Sequence, residues 1–300
     1  MIKEYAETLL KEELKKYNVN AITVKYREVP KNNCILPGFE IELKDSKVKN
    51  NIAAIIYCSK NLRDMQESDI IELATKNAKL LQEPPIDSTE LQALFNMSKK
   101  EILDSLILCA IQYKGNESYC ENLIYRRILD LVIYLRIQNS NYTATFSRNL
   151  LECLGINEEE AFSAALENTE HNKRIIAIQD IIKELGDIDL CPTEGHAGLY
   201  VVTTNDFYFG ASLIFSEKVL HDMCEFLKSQ NIVVIPSSIA ELIVSEYDPE
   251  DIDIEKCYET VLSVNKACVA PDMRLCDNVY VYNDTDKKII SFATEECYAF

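Results

Sequence analysis

Tryptophan is absent from this 300-residue chain, and glycine and proline are scarce, with seven and eight residues respectively. The glycines cannot be assembled into a P-loop or a dinucleotide-binding fingerprint, so we expect no nucleotide cofactor and no other cofactor. No apolar run approaches the roughly 18 residues that a membrane-spanning helix needs. These absences argue against the common nucleotide-binding and membrane-spanning classes.

Cysteine is plentiful, but its pattern indicates neither a disulfide framework nor a metal cluster. The eleven cysteines are odd in number and include no Cys-x-x-Cys pair. Residues 1–17 alternate lysine and glutamate among apolar positions, whereas a signal peptide has an uncharged apolar core. We therefore expect a cytoplasmic protein whose thiols are reduced and mostly act as small apolar core side chains.

Acidic residues outnumber basic residues by 49 to 31, which gives a formal net charge of −18. A surface of this charge repels phosphate backbones and anionic lipids. The basic pairs stand apart in the sequence and have no aromatic residues interleaved with them: Lys99-Lys100, Arg126-Arg127 and Lys287-Lys288. We expect neither nucleic-acid binding nor membrane binding.

The N-terminal part of the chain combines helical periodicity with period-two alternation. These patterns predict helices at 2–17 and 69–81 and strands at 22–26 and 39–43, and residues 52–58 form a short apolar run. The Pro84-Pro85 pair then interrupts the chain. We expect an N-terminal α+β subdomain over 1–85 and a larger α+β domain over 86–300. The proline pair is equally compatible with a bend inside a single continuous domain.

Capping-box spacings mark three helix starts in the middle of the chain: Asp87 with Glu90, Ser98 with Glu101, and Asn157 with Glu160. The second box leads into a predicted helix whose apolar stripe runs from Ile102 to Ile111. Another helix is predicted from Ile175 through Leu185, ended by Gly186. Strands are predicted at 131–137 and 143–146.

From Leu199 onward the apolar pattern changes period quickly. It predicts strands at 199–204, 210–215, 232–236, 241–245, 279–283 and 288–293, with helices at 217–229 and 254–268. The loops at 205–209 and 283–287 are short enough for antiparallel hairpins. We predict an α+β fold in which a mixed, largely antiparallel sheet or sheets carry amphipathic helices on their faces.

Six segments resemble, in order along the chain, a family of proteins of similar length. They are KNNCILPGFEI at 31–41, NIAAIIY at 51–57, ALENT at 165–169, VVTTNDFYFGASLIF at 201–215, VVIPSSIAEL at 233–242 and VNKACVAPDMRLCDNVYVY at 264–282. The family is common in Clostridia and related gut Firmicutes and is known as a domain of unknown function. The resemblance implies an uncharacterised, cytoplasmic bacterial protein and implies no catalytic activity.

Two positions depart from the pattern of that family. A histidine usually follows Ser-Ser-Ile, where this chain has Ala240. Leu-Ser-Asp usually stands where this chain has Leu275-Cys276-Asp277. If an activity of the family depended on that histidine, this chain would lack the activity.

The residues of these motifs are mostly of the types that shape a backbone, and few can move a proton. Gly210 and Ala211 indicate that another backbone passes close by. We expect Asn168, Asn205 and Asn265 to bond local backbone in loops or at helix ends, and we predict no catalytic or cofactor-binding residue. Structural roles are expected for Asn205, Gly210, Ala211, Pro236, Ser237, Ser238, Glu241, Asn265 and Asp277.

A serine hydrolase needs a hydroxyl nucleophile, a base and an orienting acid. Ser237 or Ser238 could supply the hydroxyl, and the base would come from one of the three histidines, His171, His196 and His221. No Gly-x-Ser-x-Gly elbow is present. The sequence therefore favours serines that form a turn at the end of the strand containing Pro236.

Two clusters could in principle bind a metal. Cys191, Glu194 and His196 lie close together and could bind zinc or form a Cys–His pair, but the paired spacing of structural zinc ligands is missing. An exposed polar loop is the alternative. Asp248 and Glu259 have the end-to-end spacing of a calcium loop, yet Asp253 stands where its sharp turn needs glycine. Solvated acids near the start of a helix at 254 account for the same residues.

The sequence favours a non-enzymatic, cytoplasmic binding or regulatory protein whose partner is another protein or a second copy of itself. The sixteen tyrosines suit such a role, because tyrosine combines an apolar ring with a polar tip. Two alternatives remain open. One is a hydrolase or metal-dependent enzyme that uses residues near His196 and Ser237, and the other is a small-molecule sensor with a pocket between helices and sheet.

Overall fold

The computed structural model describes residues 1–43, 52–82, 96–121, 123–139, 143–184 and 198–300. These residues form helices and three sheets, and the strand pairs of all three sheets are antiparallel. Two compact units divide the chain, Met1–Met97 and Ser98–Asn139 with Thr143–Phe300. The predicted α+β class is confirmed. The domain boundary predicted at residue 85, with its two prolines, lies outside the described residues.

The first unit packs two helices on one face of a three-stranded sheet, in the order β1-β2-β3. Its core contains Leu10, Phe39, Ile41 and Ile70, none of which is accessible to solvent. The two helices and the two strands predicted here are confirmed, and both strands are longer than the alternation indicated. A third strand, within the apolar run that begins at Ile52, and a 3₁₀ turn complete the elements of this unit. They are α1 (Lys3–Lys16), β1 (Ala21–Lys31), β2 (Cys34–Leu43), β3 (Ile52–Tyr57), a 3₁₀ turn (Leu62–Asp64) and α2 (Glu67–Gln82).

The second unit contains a four-stranded and a seven-stranded sheet. Its elements are α3 (Lys99–Ser105), β4 (Leu106–Gln112), α4 (Glu117–Cys120), β5 (Tyr125–Ile128), β6 (Leu131–Gln138), β7 (Thr143–Thr145), α5 (Arg148–Cys153), α6 (Glu158–His171), β8 (Lys173–Ala177), α7 (Ile178–Glu184), β9 (Tyr200–Thr204), a 3₁₀ helix (Gly210–Phe215), α8 (Glu217–Leu227), β10 (Asn231–Ser238), β11 (Glu241–Glu246), α9 (Ile254–Cys268), a 3₁₀ turn (Pro271–Met273), β12 (Tyr280–Asn283), β13 (Lys288–Ser291) and β14 (Cys297–Ala299).

The smaller sheet has the order β4-β6-β5, and β7 also pairs with β6. The larger sheet has the order β14-β13-β12-β10-β11-β9-β8. Hairpins connect β10 to β11 and β12 to β13, and the second of these confirms the hairpin predicted at 283–287. No helix within the described ranges is both long and apolar enough to span a bilayer.

The helix predicted through Ile111 ends six residues earlier, at Ser105, and the chain continues as strand β4. The capping box at its start is confirmed, because Ser98 and Glu101 bond each other's backbone N–H groups. A side chain from α6 ends the helix, since Asn168 Nδ2 donates to the carbonyl oxygens of Leu103 (2.8 Å) and Leu106 (2.9 Å). β4 is buried on both faces, so its apolar run carries no strand period.

The helix predicted from Ile175 is also partly wrong. Residues Lys173–Ala177 form strand β8, in which the β-branched Ile175 and Ile176 lie opposite Val202 and Val201 of β9. The helix α7 begins only at Ile178. Its predicted end at Leu185 and Gly186 lies outside the described residues, as does the capping box of Asp87 and Glu90.

The strand predicted at 210–215 is wrong, because these residues form a 3₁₀ helix whose six members are all buried. An apolar run that is buried on every side has no alternation, so a strand and a short helix give the same sequence signal. The hairpin predicted at 205–209 is therefore wrong as well. The close backbone approach predicted for Gly210 is confirmed, since an added Cβ would lie 2.5 Å from both Thr203 Cα and the Ala240 carbonyl oxygen.

Candidate functional site

Residues 205–209, with the sequence Asn-Asp-Phe-Tyr-Phe, connect β9 to the buried 3₁₀ helix, and we call them the aromatic loop. Phe207 and Tyr208 are 48% and 59% exposed. Phe209 is half-buried and packs against the apolar cluster of the four-stranded sheet. One ring thus anchors the loop, while the two rings before it face solvent.

Two of these aromatic residues have a left-handed backbone, with φ of 54° at Phe207 and 57° at Phe209. For a residue with a Cβ this conformation costs about 1–2 kcal/mol, and glycine or asparagine is the usual occupant. Bulky residues persist in it only where surrounding contacts determine the backbone, and such positions cluster at binding and switch sites. The loop therefore holds Phe207 and Phe209 in a backbone conformation that costs conformational free energy.

The preceding threonine closes the loop into a turn. The Thr204 hydroxyl donates to the Tyr208 carbonyl oxygen (2.7 Å) and accepts from the Tyr208 N–H (3.2 Å). The Phe207 N–H donates to the Thr204 carbonyl oxygen at 2.9 Å. Because Thr204 is buried, these bonds are shielded from water and hold the turn firmly.

The first two loop residues bind neighbouring elements through their polar groups. Asn205 donates from its backbone N–H to the Asn172 carbonyl oxygen (2.9 Å) and from its side chain to Asn172 Oδ1 (3.0 Å). Asp206 Oδ2 accepts from Gln138 Nε2 (2.8 Å) and Asn172 Nδ2 (3.1 Å). The loop is thereby fixed to the end of α6 and to β6.

The base of the loop is held by the hairpin turn between β10 and β11. The Thr203 hydroxyl donates to the Ala240 carbonyl oxygen at 2.8 Å, next to the close approach at Gly210. Farther along, the Ser212 hydroxyl contacts two carbonyl oxygens, those of Leu108 (2.9 Å) and Phe209 (2.8 Å). Both ends of the loop are therefore attached to the sheets.

An arginine lies over the ring of each of the two phenylalanines that have a left-handed backbone. The guanidinium carbon of Arg174, on β8, lies 5.0 Å from the centroid of Phe207, and that of Arg136, on β6, lies 5.6 Å from the centroid of Phe209. Arg136 also donates to the carbonyl oxygen and hydroxyl of Thr143, at 3.2 and 2.8 Å, and its buried Nε has no partner among the described residues. Two guanidinium groups thus lie against the aromatic loop of a chain whose net charge is −18.

Arg174 differs from Arg136 in that it is exposed. Its neighbour Lys173 forms an ion pair with Asp222 of α8, but within the described ranges no carboxylate lies within ion-pair distance of Arg174. Among the residues that the structure describes, the exposed guanidinium therefore contacts the Phe207 ring and pairs with no carboxylate. An arginine so placed suits a planar anionic group such as a carboxylate.

Several predicted site residues make contacts that shape turns and loops. The Ser237 hydroxyl donates to Glu241 Oε1 (3.1 Å), and the Ser238 hydroxyl accepts from the Ala240 N–H (3.1 Å). Pro236 and Ala211 are buried. Asn265 Nδ2 donates to the Cys276 carbonyl oxygen (3.0 Å) and to Asp277 Oδ1 (2.7 Å). Cys191, Glu194 and His196 lie outside the described residues.

The bonding predicted for the three asparagines is partly wrong, because Asn168 and Asn265 do bond backbone carbonyl oxygens but none of the three amides bonds a group that is local in sequence. Asn168 reaches backbone 62 and 65 residues away, Asn205 reaches Asn172, 33 residues away, and Asn265 reaches residues 11 and 12 positions later. Each amide joins separate elements of the fold. The reason is the bidentate reach of a carboxamide, which satisfies backbone groups where a helix or strand ends.

A histidine–carboxylate pair that the sequence did not reveal lies between α8 and the β12–β13 hairpin. His221 Nδ1 is 2.8 Å from Asp284 Oδ1, which also accepts from Lys287 Nζ (2.8 Å) and the Tyr282 hydroxyl (3.2 Å). Cys224, three residues along α8 from His221, is buried, and burial together with the Asp284 carboxylate raises the pKa of its thiol to about 12. A protonated thiol is a poor nucleophile, so the pair lacks an activated partner there.

The described part of the chain contains no group of three or more metal-binding side chains. Asp248 Oδ1 accepts from the Glu250 N–H (2.9 Å), and Asp253 caps α9 by accepting from the Lys256 N–H (3.2 Å). The acids of the calcium alternative therefore act as turn and helix-cap residues, as their position before a helix indicated.

The clefts on the surface of the described residues include two that are open. One, of about 470 Å³, lies in the second unit between the β5–β6 turn and β14, and is lined by Arg127, Ile128, Leu129, Glu296, Cys297 and Tyr298. The other, of about 220 Å³, lies in the first unit beside Cys58 and the Lys60–Asp69 ion pair. Both open to solvent, and neither has the enclosed apolar lining that is typical of a small-molecule site.

The comparisons with known proteins identify a family and no characterised relative. Neither a curated protein nor a solved structure matches the chain. A family model described as a family of unknown function matches residues 2–284, a range that contains the aromatic loop. The match includes both units and ends at the β12–β13 turn. This chain belongs to the DUF5688 family, whose function is unknown.

Proposed function

We propose that this chain is a non-enzymatic binding protein that recognises another protein through its aromatic loop. One observation carries the proposal: Phe207 and Phe209 are held at positive φ, and the loop presents two exposed rings that add little to the core. At Phe207 the left-handed backbone and the exposed ring coincide, and backbone strain without burial costs stability. A role in binding a partner accounts for exposed aromatic rings in this loop.

The composition of the surface supports the proposal. Tyrosine, phenylalanine and arginine are enriched at protein interfaces and supply most of the residues whose truncation weakens binding strongly. The hydrogen bonds of Thr204, Asn205 and Asp206 fix the loop before any partner arrives. A fixed loop loses less conformational entropy on association, which favours affinity.

We further propose a cytoplasmic location for the protein. The ten cysteines in the described part of the chain are free thiols, and five of them are buried. Buried free thiols distributed over both units are consistent with a reducing compartment.

The aromatic loop can be tested by photocrosslinking in the cells that produce the protein. A benzophenone amino acid placed at Tyr208 should give a discrete crosslinked protein. The matched control is Phe226 on α8, which is 56% exposed and packs edge-on against Tyr200 at the opposite end of the β8–β9 pair. Crosslinks of equal yield at 226 and 208 would contradict the proposal.

The crosslinked protein then gives a quantitative test. We expect Tyr208→Ala to weaken its affinity for the chain by roughly tenfold or more, since central aromatic residues dominate binding energies. Phe226→Ala should leave the affinity within about twofold. If the crosslinked species is a second copy of this chain, the same variants should change the dimer dissociation constant.

The enzymatic alternative predicts different measurements. A metal-dependent enzyme that uses Cys191, Glu194 and His196 would contain stoichiometric zinc, and a hydrolase that uses Ser237 would lose turnover in Ser237→Ala. We expect elemental analysis to show zinc far below one per chain. We also expect no turnover of ester, phosphate or peptide substrates that depends on Ser237 or His196.

A further inference from the structure

We propose that the partner presents a short acidic peptide segment, in which a carboxylate binds Arg174 and an adjacent apolar side chain packs on Phe207 and Tyr208. This inference rests on the proposed function and specifies the chemistry of the partner. It follows from the exposed position of Arg174 against the Phe207 ring, from the absence of a carboxylate partner among the described residues, and from the net charge of the chain.

The guanidinium of Arg174 is exposed and can bind a carboxylate. Its central carbon lies 5.0 Å from the centroid of the Phe207 ring, and the side chain is exposed to solvent. A guanidinium offers two parallel N–H donors to a carboxylate. The ring contact therefore places an exposed arginine beside the aromatic loop, where it suits a planar anion.

The charged side chains near Arg174 already have partners. Lys173 is paired with Asp222, and Arg136 is turned toward Thr143. The Asp206 carboxylate, the acid of the loop itself, accepts from the amides of Gln138 and Asn172. Among the described residues Arg174 therefore remains the exposed cation of this surface without a carboxylate partner.

The net charge of the chain limits the number of carboxylates that the acidic segment can carry. A chain with a net charge of −18 repels a strongly acidic protein or a nucleic acid at long range. One free arginine cannot offset that repulsion for many charges. A segment with one or two carboxylates beside an apolar side chain fits, because the exposed rings of Phe207 and Tyr208 then supply apolar contact.

The test uses the full-length chain and a phage-displayed library of short random peptides. Peptides should be selected on the wild-type chain and counter-selected on Tyr208→Ala. We expect the enriched peptides to carry aspartate or glutamate next to an aromatic or aliphatic residue. The strongest of them is then synthesised in its acidic form and with each acid replaced by its amide.

A double-mutant cycle isolates the contact between the carboxylate and Arg174. Arg174→Gln and the amide peptide should each lower affinity by roughly tenfold, and the amide should cost nothing further in the Arg174→Gln chain. Arg174→Lys should recover only part of the loss, because lysine lacks the planar pair of donors.

Arg126→Gln is the matched control. Arg126 also stacks on a ring, 4.1 Å from the centroid of Phe162, but its guanidinium is already paired with Glu159 at 2.6 Å. Its loss should leave peptide affinity unchanged. Thermal unfolding of each variant confirms that the exposed substitutions leave the fold intact.

The outcomes separate this inference from the function on which it rests. Peptides that depend on Tyr208 but show no coupling between their acids and Arg174 would overturn the acidic segment and leave the aromatic loop as a binding surface. If no peptide is enriched, or if the enriched peptides bind Tyr208→Ala equally well, both proposals fail.

Discussion

The Tyr280 hydroxyl donates a 2.7 Å hydrogen bond to Asp130 Oδ1, which joins residues that are 150 positions apart. Tyr280 lies on β12 and is fully buried, while Asp130 follows Leu129 in the turn between β5 and β6. Asn278 Nδ2 donates to the other oxygen of the same carboxylate at 3.1 Å. These bonds connect the four-stranded sheet to the seven-stranded sheet within the second unit.

We expect Tyr280→Phe to lower the free energy of unfolding of the chain by about 1–2 kcal/mol, because it removes the hydrogen bond to the Asp130 carboxyl group and the contact of the hydroxyl with Cys276 Sγ, and leaves the ring packing unchanged. The measurement is urea-induced unfolding at neutral pH. The matched control is Tyr125→Phe, at an exposed position on β5, which should change the stability by less than about 0.5 kcal/mol. Equal effects of the two substitutions would argue against a role for the bond.

Gly210→Ala should be among the most destabilising single substitutions in the second unit. The added Cβ would lie 2.5 Å from Thr203 Cα and from the Ala240 carbonyl oxygen, and neither backbone atom can move as a flexible side chain can. We expect a loss of about 3 kcal/mol by thermal or urea unfolding. Gly115→Ala is the control, since its Cβ would meet no atom within 4 Å and the positive φ of 88° should cost only about 1 kcal/mol.

Much of the fold could be predicted from local sequence patterns. The amphipathic stripe of α1 and the alternation of β1 and β2 each leave one face wet, so the period is visible. The capping box of Ser98 and Glu101 and the β12–β13 hairpin are set by neighbouring residues. Features determined by local chemistry were accessible to sequence reasoning.

Two of the errors share a physical cause. Residues 106–111 and 210–215 are apolar and buried on more than one side, so no periodicity distinguishes helix from strand. Their structures are set by tertiary contacts, such as the Asn168 amide that ends α3 and the close approach of Thr203 to Gly210. Such contacts join residues far apart in sequence and cannot be seen in a single segment.

The candidate site was only half visible in the sequence. The motif that contains Phe207 and Phe209 was apparent, but positive φ at two aromatic residues contradicts their intrinsic preference and leaves no compositional signal. The stacking of Arg174 on Phe207 depends on the pairing of β8 with β9, and β8 was predicted as helix. The site became apparent only when the strand order was known.

Phe207→Asn should separate stability from binding. Asparagine adopts a left-handed backbone more easily than phenylalanine, so the substitution relieves strain and loses only an exposed stacking contact. We expect the free energy of unfolding to rise by about 0.5–1 kcal/mol while affinity for the crosslinked partner falls by roughly tenfold. Tyr208→Asn, at a position without positive φ, should weaken binding with no gain in stability. A stability loss in Phe207→Asn would show that the ring serves the fold.

Stability at alkaline pH should depend on buried thiols, and Cys224 offers the clearest case. Burial, assisted by the Asp284 carboxylate, raises the pKa of the Cys224 thiol to about 12 in the folded chain. In the unfolded chain a cysteine thiol has a pKa of about 8.5. A folded pKa above the unfolded value means that the thiol's contribution is fully present below about pH 8.5 and is lost as the pH rises toward 12.

Urea unfolding in the presence of reductant, measured between about pH 8 and pH 10.5, tests this linkage. Between about pH 9 and 10.5, we expect stability to fall with pH more steeply in the wild type than in Cys224→Ala, by about 1 kcal/mol per pH unit. Cys224→Ala also loses packing at neutral pH, so the comparison is of slopes and not of absolute stabilities. Cys153→Ala removes an exposed thiol and should keep the wild-type slope. Identical slopes in the wild type and Cys224→Ala would mean that the Cys224 thiolate is tolerated in the folded chain, and that the region around His221 and Asp284 admits solvent.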